Sequence, residues 1–240
     1  MKFSNLNRIY INSTLAVNSE IELTSDHIHY IKTVLRLKVN EQFRVFNNTD
    51  GEFIAQINAI GKNNLSVTIT NLLRKPTPIL PLTIVLAIIK PEKFLLAVNM
   101  AVQLGVTKIV PLITERCQFR NIKSERLLKC VIEANEQSER LTMPLIDTAI
   151  TLENYLAATG DNLLLYANER EDKANSLLKV LLPNSSDISL IIGPEGGFTD
   201  EELKKLADYE NAKSFSLGAY ILRTETAVAA GLAQIAMVRA

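Results

Sequence analysis

Hydrophobic and polar positions follow two different rhythms along this chain, and the change falls near residue 75. Before it, short runs rich in β-branched residues predict strands at 8–11, 20–23, 42–46, 53–60 and 65–70. The clusters Asn48-Thr49-Asp50-Gly51 and Gly61-Lys62-Asn63-Asn64 separate these runs with residues that tolerate positive φ. One helix is predicted at 26–35, capped by Ser25, with Ile28, Ile31, Val34 and Leu35 on a single face. The whole reads as a small β-barrel. The segment Lys75-Pro76-Thr77-Pro78-Ile79-Leu80-Pro81 can continue neither a ladder nor a helix, so a domain boundary is placed there, with a barrel at 1–74 and a second domain at 75–240.

Beyond the boundary, strands alternate with helices, which implies parallel strands covered by helices. Strands are predicted at 82–89, 108–112, 163–166, 188–192 and 213–216, and helices at 91–104, 124–140, 151–158 and 175–181. Pro91 opens the first of these helices and Gly105 closes it, the usual punctuation. A final helix at 224–238 carries Ala227, Ala229, Ala230, Gly231, Ala233 and Ala236 around its cylinder. A helix apolar on every side is buried, either within the domain or against a second subunit.

Composition narrows the function classes. Hydrophobic residues make up 47% and charged residues 22%, which suits a folded chain with a core and excludes a mainly disordered one. The 26 basic residues equal the 26 acidic ones, so a nucleic-acid site must be a local patch. Two cysteines and two histidines, His27 and His29, can build neither a disulfide framework nor a spaced zinc motif, and no metal is expected. No run approaches the roughly 18 apolar residues of a membrane span, and Met1-Lys2-Phe3-Ser4-Asn5 leads into polar sequence; a cytoplasmic protein without a membrane partner is expected.

The segment Ser189 to Glu202 is a buried strand that breaks into Gly193-Pro194-Glu195-Gly196-Gly197 and then opens a helix. Glycine reaches positive φ cheaply and lets a ligand approach the main chain, while Pro194 stiffens the loop. Thr199 and Glu202 have the spacing of a capping box. The loop lacks the glycine and lysine spacings of dinucleotide and nucleoside triphosphate sites. A second loop, Ser216 to Thr226, also follows a strand and precedes a helix, so the two predict two walls of one pocket at the strand ends. Arg223 stands at that helix entrance, where the positive dipole end disfavours a cation unless an anion is nearby.

Gly193-Pro194-Glu195-Gly196-Gly197, followed by Leu217-Gly218 and Ile221-Leu222-Arg223-Thr224-Glu225-Thr226-Ala227, resembles the 16S ribosomal RNA uridine-N3 methyltransferases of the SPOUT superfamily. The likeness extends through Leu104-Gly105-Val106, Pro111, Glu115-Arg116, Glu133-Ala134-Asn135-Glu136-Gln137-Ser138, Arg140 and Pro144. The resemblance implies an α/β parallel-sheet methyltransferase domain tied in a trefoil knot, a PUA-like barrel before it, and a homodimer. It also implies S-adenosyl-L-methionine held by Gly193, Pro194, Glu195, Gly196 and Gly197 on one side and Leu217, Gly218, Ile221 and Leu222 on the other. Ala167 and Glu169 would form a third wall.

The same resemblance makes the partner 16S ribosomal RNA or the small ribosomal subunit. Methylation at N3 requires that nitrogen to lose its proton, and Arg223 is read as the catalytic cation that stabilises the uracil anion so formed. Glu195 and Glu225 are candidate proton acceptors, each of which would need a raised pKa. Arg116, Arg120 and Arg140, with Lys123 and Arg126, are read as phosphate contacts, as are Arg8, Arg36 and Lys38 on the barrel. The chain departs from the family where Ala219 and Tyr220 replace a usual proline and arginine, and where Gln103 and Cys117 replace glutamate and serine. Tyr220 either packs or stacks on a base. Rival readings are a SPOUT transferase acting on another RNA atom, an RNA-binding assembly factor without catalysis, and a small-molecule enzyme.

Overall fold

The computed structural model describes residues 5–168, 177 and 187–239. The chain divides into two compact units. The first is Met1–Pro78 together with Asn135–Met143, and the second is Ile79–Ala134 with Pro144–Ala240. The first unit thus runs on to Pro78, within the proline-rich segment at 75–81. The pattern gave no sign that a later segment joins the first unit.

The first unit is a five-stranded sheet in the order β1-β3-β4-β5-β2, built from β1 (Arg8–Tyr10), β2 (Glu20–Glu22), β3 (Gln42–Asn47), β4 (Gly51–Ile60) and β5 (Leu65–Arg74). Only β1 and β3 pair in parallel. Register shifts along the long β4–β5 ladder bend it, and its inner face closes on Phe43, Val45, Ile57, Val67 and Ile69, all fully buried. The single helix read at 26–35 is two elements. α1 (Ser25–His29), entered through Thr24 and not Ser25, runs into a π-helical turn at Tyr30–Leu35. The wider turn breaks the 3.6 period, so Ile28 and Ile31 remain buried while Val34, assigned to the same face, is 58% exposed.

A buried ionic cluster fastens Asn135–Met143 into this unit. Glu52 is 2% exposed and accepts from Arg8 Nε at 2.6 Å and from Arg74 Nε, with Arg44 Nη1 3.5 Å away. Arg8 lies over the Phe46 ring at 3.5 Å and donates to the carbonyls of Asn135, at 2.7 Å, and Arg140. Arg44 pairs with Glu139 at 2.9 Å, and the Tyr10 N–H donates to Glu136 Oε1 at 2.9 Å.

The second unit is a parallel sheet in the order β12-β10-β11-β6-β7-β8, with β9 also on β7. Its strands are β6 (Leu82–Ala87), β7 (Lys108–Ile113), β8 (Leu145–Ile146), β9 (Ile150–Thr151), β10 (Leu163–Ala167), β11 (Ile188–Ile192) and β12 (Ala212–Phe215). Two-residue strands such as β8 and β9 leave no periodic trace, and the sequence reading missed both. The helices are α2 (Pro91–Gln103), α3 (Ser124–Gln137), α4 (Leu152–Ala158), α5 (Asp200–Ala207) and α6 (Thr224–Arg239). α3 stops three residues before the predicted end, where Glu139 takes φ 58. The helix expected at 175–181 falls outside the described residues.

α6 lies close on β11, since a Cβ at Gly231 would come within 3.0 Å of Leu190 Cδ2. Its buried face is Ala227, Val228, Gly231, Leu232 and Ile235, but Met237 is 75% exposed. The helix is therefore half-buried within the chain, not enclosed on every side. No helix among the described residues is long and apolar enough to cross a membrane.

Candidate active site

Strands β12, β10 and β11 are neighbours, so their carboxyl ends deliver three loops to one edge of the sheet. Ala167 and Asn168 follow β10, Gly193 to Phe198 follow β11, and Ser216 to Leu222 follow β12. They form an open cleft at that edge. Its position is the usual ligand crevice of an open parallel sheet.

Backbone geometry shapes the walls. The Gly197 N–H closes a turn onto the Pro194 carbonyl at 2.9 Å, with Gly197 at φ 67. Gly193 faces the Phe198 ring so closely that a Cβ would stand 3.0 Å from it. Gly218 has φ 126 with open space where a side chain would project, so its backbone conformation and not crowding demands glycine. Thr224 Oγ1 donates to the Gly193 carbonyl at 3.2 Å and ties the two glycine loops together. The Asn168 N–H donates to the Phe215 carbonyl at 3.0 Å and sets the third wall. The capping box is present, with Thr199 as cap and Glu202 bonding back to the Thr199 N–H.

Of the residues read as cofactor walls, Ala167, Gly193, Pro194, Gly197, Leu217, Gly218, Ile221 and Leu222 line the cleft. Glu195 and Gly196 belong to the same loop but are exposed outside that lining, and Glu169 falls outside the described residues. The reading missed Asn168, Phe198, Ser216 and Thr224, which also line the cleft. Each flanks a recognised glycine or strand end, but alternation gives no clue to which neighbours turn inward. Tyr220 lines the cleft at its lip, 85% exposed, beside Ile221 at 83%.

Arg223 is exposed between the lining residues Leu222 and Thr224. Glu225 is 7% exposed and accepts from Lys93 Nζ at 2.8 Å. That hydrogen bond holds its carboxyl below the usual carboxylate range, the opposite of what a proton acceptor needs, so the base role read for Glu225 fails. A lowered native pKa gives stability that is complete above the ordinary value of about 4.3 and is lost as pH falls through the lowered one. Substituting Glu225→Gln should therefore cost stability at pH 7, with the difference from wild type shrinking below about pH 4. Urea titrations of both proteins across that range check this.

The cations read as RNA contacts sort differently. Arg8 is an internal ion and not a phosphate contact, because its side chain is 3% exposed and committed to Glu52 and three carbonyls. Arg140 is half-buried, and desolvation pushes its guanidinium down to about 10, so it remains charged at neutral pH. Arg36, Lys38, Arg120, Lys123 and Arg126 are exposed, while Arg116 donates to the Gly196 carbonyl at 2.7 Å. No cluster of three or more metal-ligating side chains occurs among the described residues.

Fold and cleft together define the RNA methyltransferase class. The RNA methyltransferase domain model matches residues 75–236, and the RNA methyltransferase PUA domain model matches residues 23–70. Ribosomal RNA small subunit methyltransferase E of Rickettsia conorii is 61% identical over 231 residues, covering 95% of this chain and 94% of that protein. The chain belongs to the ribosomal RNA small subunit methyltransferase E family. The enzyme of that name from Neisseria gonorrhoeae, solved with S-adenosylmethionine bound, superposes with a TM-score of 0.88 at 28% identity over 98% of both chains. A Legionella pneumophila methyltransferase solved with the same cofactor gives 0.86 at 30% identity, over 96% of this chain and 97% of that one.

Proposed function

We propose that this protein methylates N3 of a specific uridine in 16S ribosomal RNA, using S-adenosyl-L-methionine held in the glycine-lined cleft. The observation that carries the reading is the convergence of three strand-end loops on one crevice whose walls are mostly apolar and backbone. The lining fits such a cofactor. Leu217, Ile221, Leu222, Phe198 and Ala227 offer apolar surface to a purine and a thioether-like chain, and Asn168, Ser216 and Thr224 offer polar groups to a ribose and an amino acid. The backbone of Ala219, Tyr220 and Ile221 makes no hydrogen bond with other described residues, which leaves amides and carbonyls for a base edge.

When bound, the cofactor supplies a methyl group on a positively charged sulfur. The chain's own part is orientation and charge. Uracil N3 sits between two carbonyls and becomes nucleophilic as its proton leaves, and Arg223 at the cleft edge stabilises the charge that spreads onto those oxygens. Holding nucleophile and methyl in line removes much of the entropic barrier. With Glu225 engaged by Lys93, Glu195 is the remaining one of the two carboxylates read as acceptors for the N3 proton.

The same reading makes the enzyme a cytoplasmic, trefoil-knotted homodimer. The open face of α6 at Met237 supports a partner subunit. The deciding experiment incubates the purified protein and labelled cofactor with small ribosomal subunits and with naked 16S RNA, then maps the modified nucleoside. Methylation at uridine N3 is the expected result. A ribose methyl, or turnover without RNA, overturns the reading, as does failure of the protein to bind the cofactor by calorimetry.

A further inference from the structure

The glycine-rich loop after β11 is held from outside the cleft by the turn that follows β7. Glu202, 6% exposed, accepts from two backbone amides, with Oε2 taking the Thr199 N–H and Oε1 the Glu115 N–H, each at 2.9 Å. One carboxylate thus closes the cap of α5 and also pins the turn at Thr114 to Cys117, itself closed by a 3.2 Å bond from the Cys117 N–H to the Thr114 carbonyl. From that turn Arg116 reaches back, Nη1 donating to the Gly196 carbonyl at 2.7 Å. Its stem backs the same residue, since a Cβ at Gly196 would sit 3.5 Å from Arg116 Cδ. Gly193, Pro194 and Gly197 line the cleft, while Gly196 and the exposed Glu195 do not.

We infer that Arg116 and Glu202 are positioning residues for the cofactor, a two-point brace that keeps the loop in its binding shape without touching the ligand. The inference rests on the cofactor reading above and replaces the phosphate role read for Arg116 in the sequence. The physical basis is preorganisation. A glycine-rich loop has many accessible backbone states, and each bond that removes some of them lowers the ordering cost of binding. Sequence spacing shows only that Glu202 can cap its own helix. The second amide it receives, and the reach of Arg116 across 80 residues, exist only in the folded sheet, where β7 and β11 both flank β6.

The test compares R116A, R116K, E202Q and wild-type enzyme. Cofactor affinity is read by calorimetry, RNA affinity across a salt series, and amide exchange at Gly196 to Phe198. One charge-assisted bond in a partly solvated site predicts a Kd for S-adenosylmethionine raised about 2- to 10-fold in R116A, partly restored in R116K. Turnover at saturating cofactor stays within about twofold and the salt slope of RNA binding is unchanged, while loop amides exchange faster. E202Q, which keeps an acceptor for one amide, falls between wild type and R116A. Unchanged cofactor affinity and exchange overturn the brace, above all if the salt slope falls by about one phosphate contact. Amide exchange needs no cofactor, so it tests the brace even if wild-type protein fails to bind S-adenosylmethionine, a result that counts against the functional reading alone.

Discussion

Replacing Arg223 with alanine is expected to lower kcat by about 10²- to 10³-fold, the usual effect of removing one donor that meets charge developing in a transition state. The cofactor Kd should stay within about twofold, because Arg223 stands outside the cleft lining while its neighbours Leu222 and Thr224 belong to it. Among the described residues Arg223 has no ion-pair partner, and Glu225, the nearest carboxylate in sequence, is engaged by Lys93. A cation at the amino end of α6 gains nothing from the helix dipole; Glu225 feels its charge, and an anionic substrate would offset the cost further. Arg223→Lys keeps the charge but loses the planar fork, and should recover only part of the rate. Single-turnover assays at saturating cofactor decide it, and equal rates for wild type and R223A would remove Arg223 from the mechanism.

The largest effect on stability is expected at Glu52. Truncating it to alanine leaves Arg8 and Arg44, with side chains 3% and 9% exposed, without their shared carboxylate. Breaking a buried pair from one side usually costs about 3–5 kcal/mol, because the remaining charge stays desolvated. Burial already presses the Arg8 guanidinium below its ordinary pKa, and the Glu52 carboxylate is the main opposing influence. Urea unfolding of the full chain should therefore show an early transition in E52A. The same cluster fastens Asn135–Met143, so protease cleavage in that segment should rise in parallel. An unchanged urea midpoint would show that the cluster contributes no net stability.

Much of the architecture was legible because its signals are local. Pro91 before an apolar 3.6 period, the run Ile188 to Ile192, and Thr199 with Glu202 each act within a few residues, and each marks the element found there. The glycine loops were readable for the same reason, since positive φ at Gly197 and Gly218 is a property of single residues. Arg8 and Glu225 were misplaced because the role of a charged side chain depends on its partner. Their partners lie 44 and 132 residues away.

The sequence by itself determined most of the strands and helices, where the glycine-rich loops fall, and through its family motifs the chemistry to expect. These follow from backbone sterics and hydrophobic period, which act over a turn or two of chain. The tertiary structure decided which loops share the cleft, which arginines are internal ions and which carboxylate is silenced. It also decided that a short segment after α3 belongs with the first unit. Those outcomes depend on desolvation and on hydrogen-bond partners brought together by sheet order, and no local pattern encodes either.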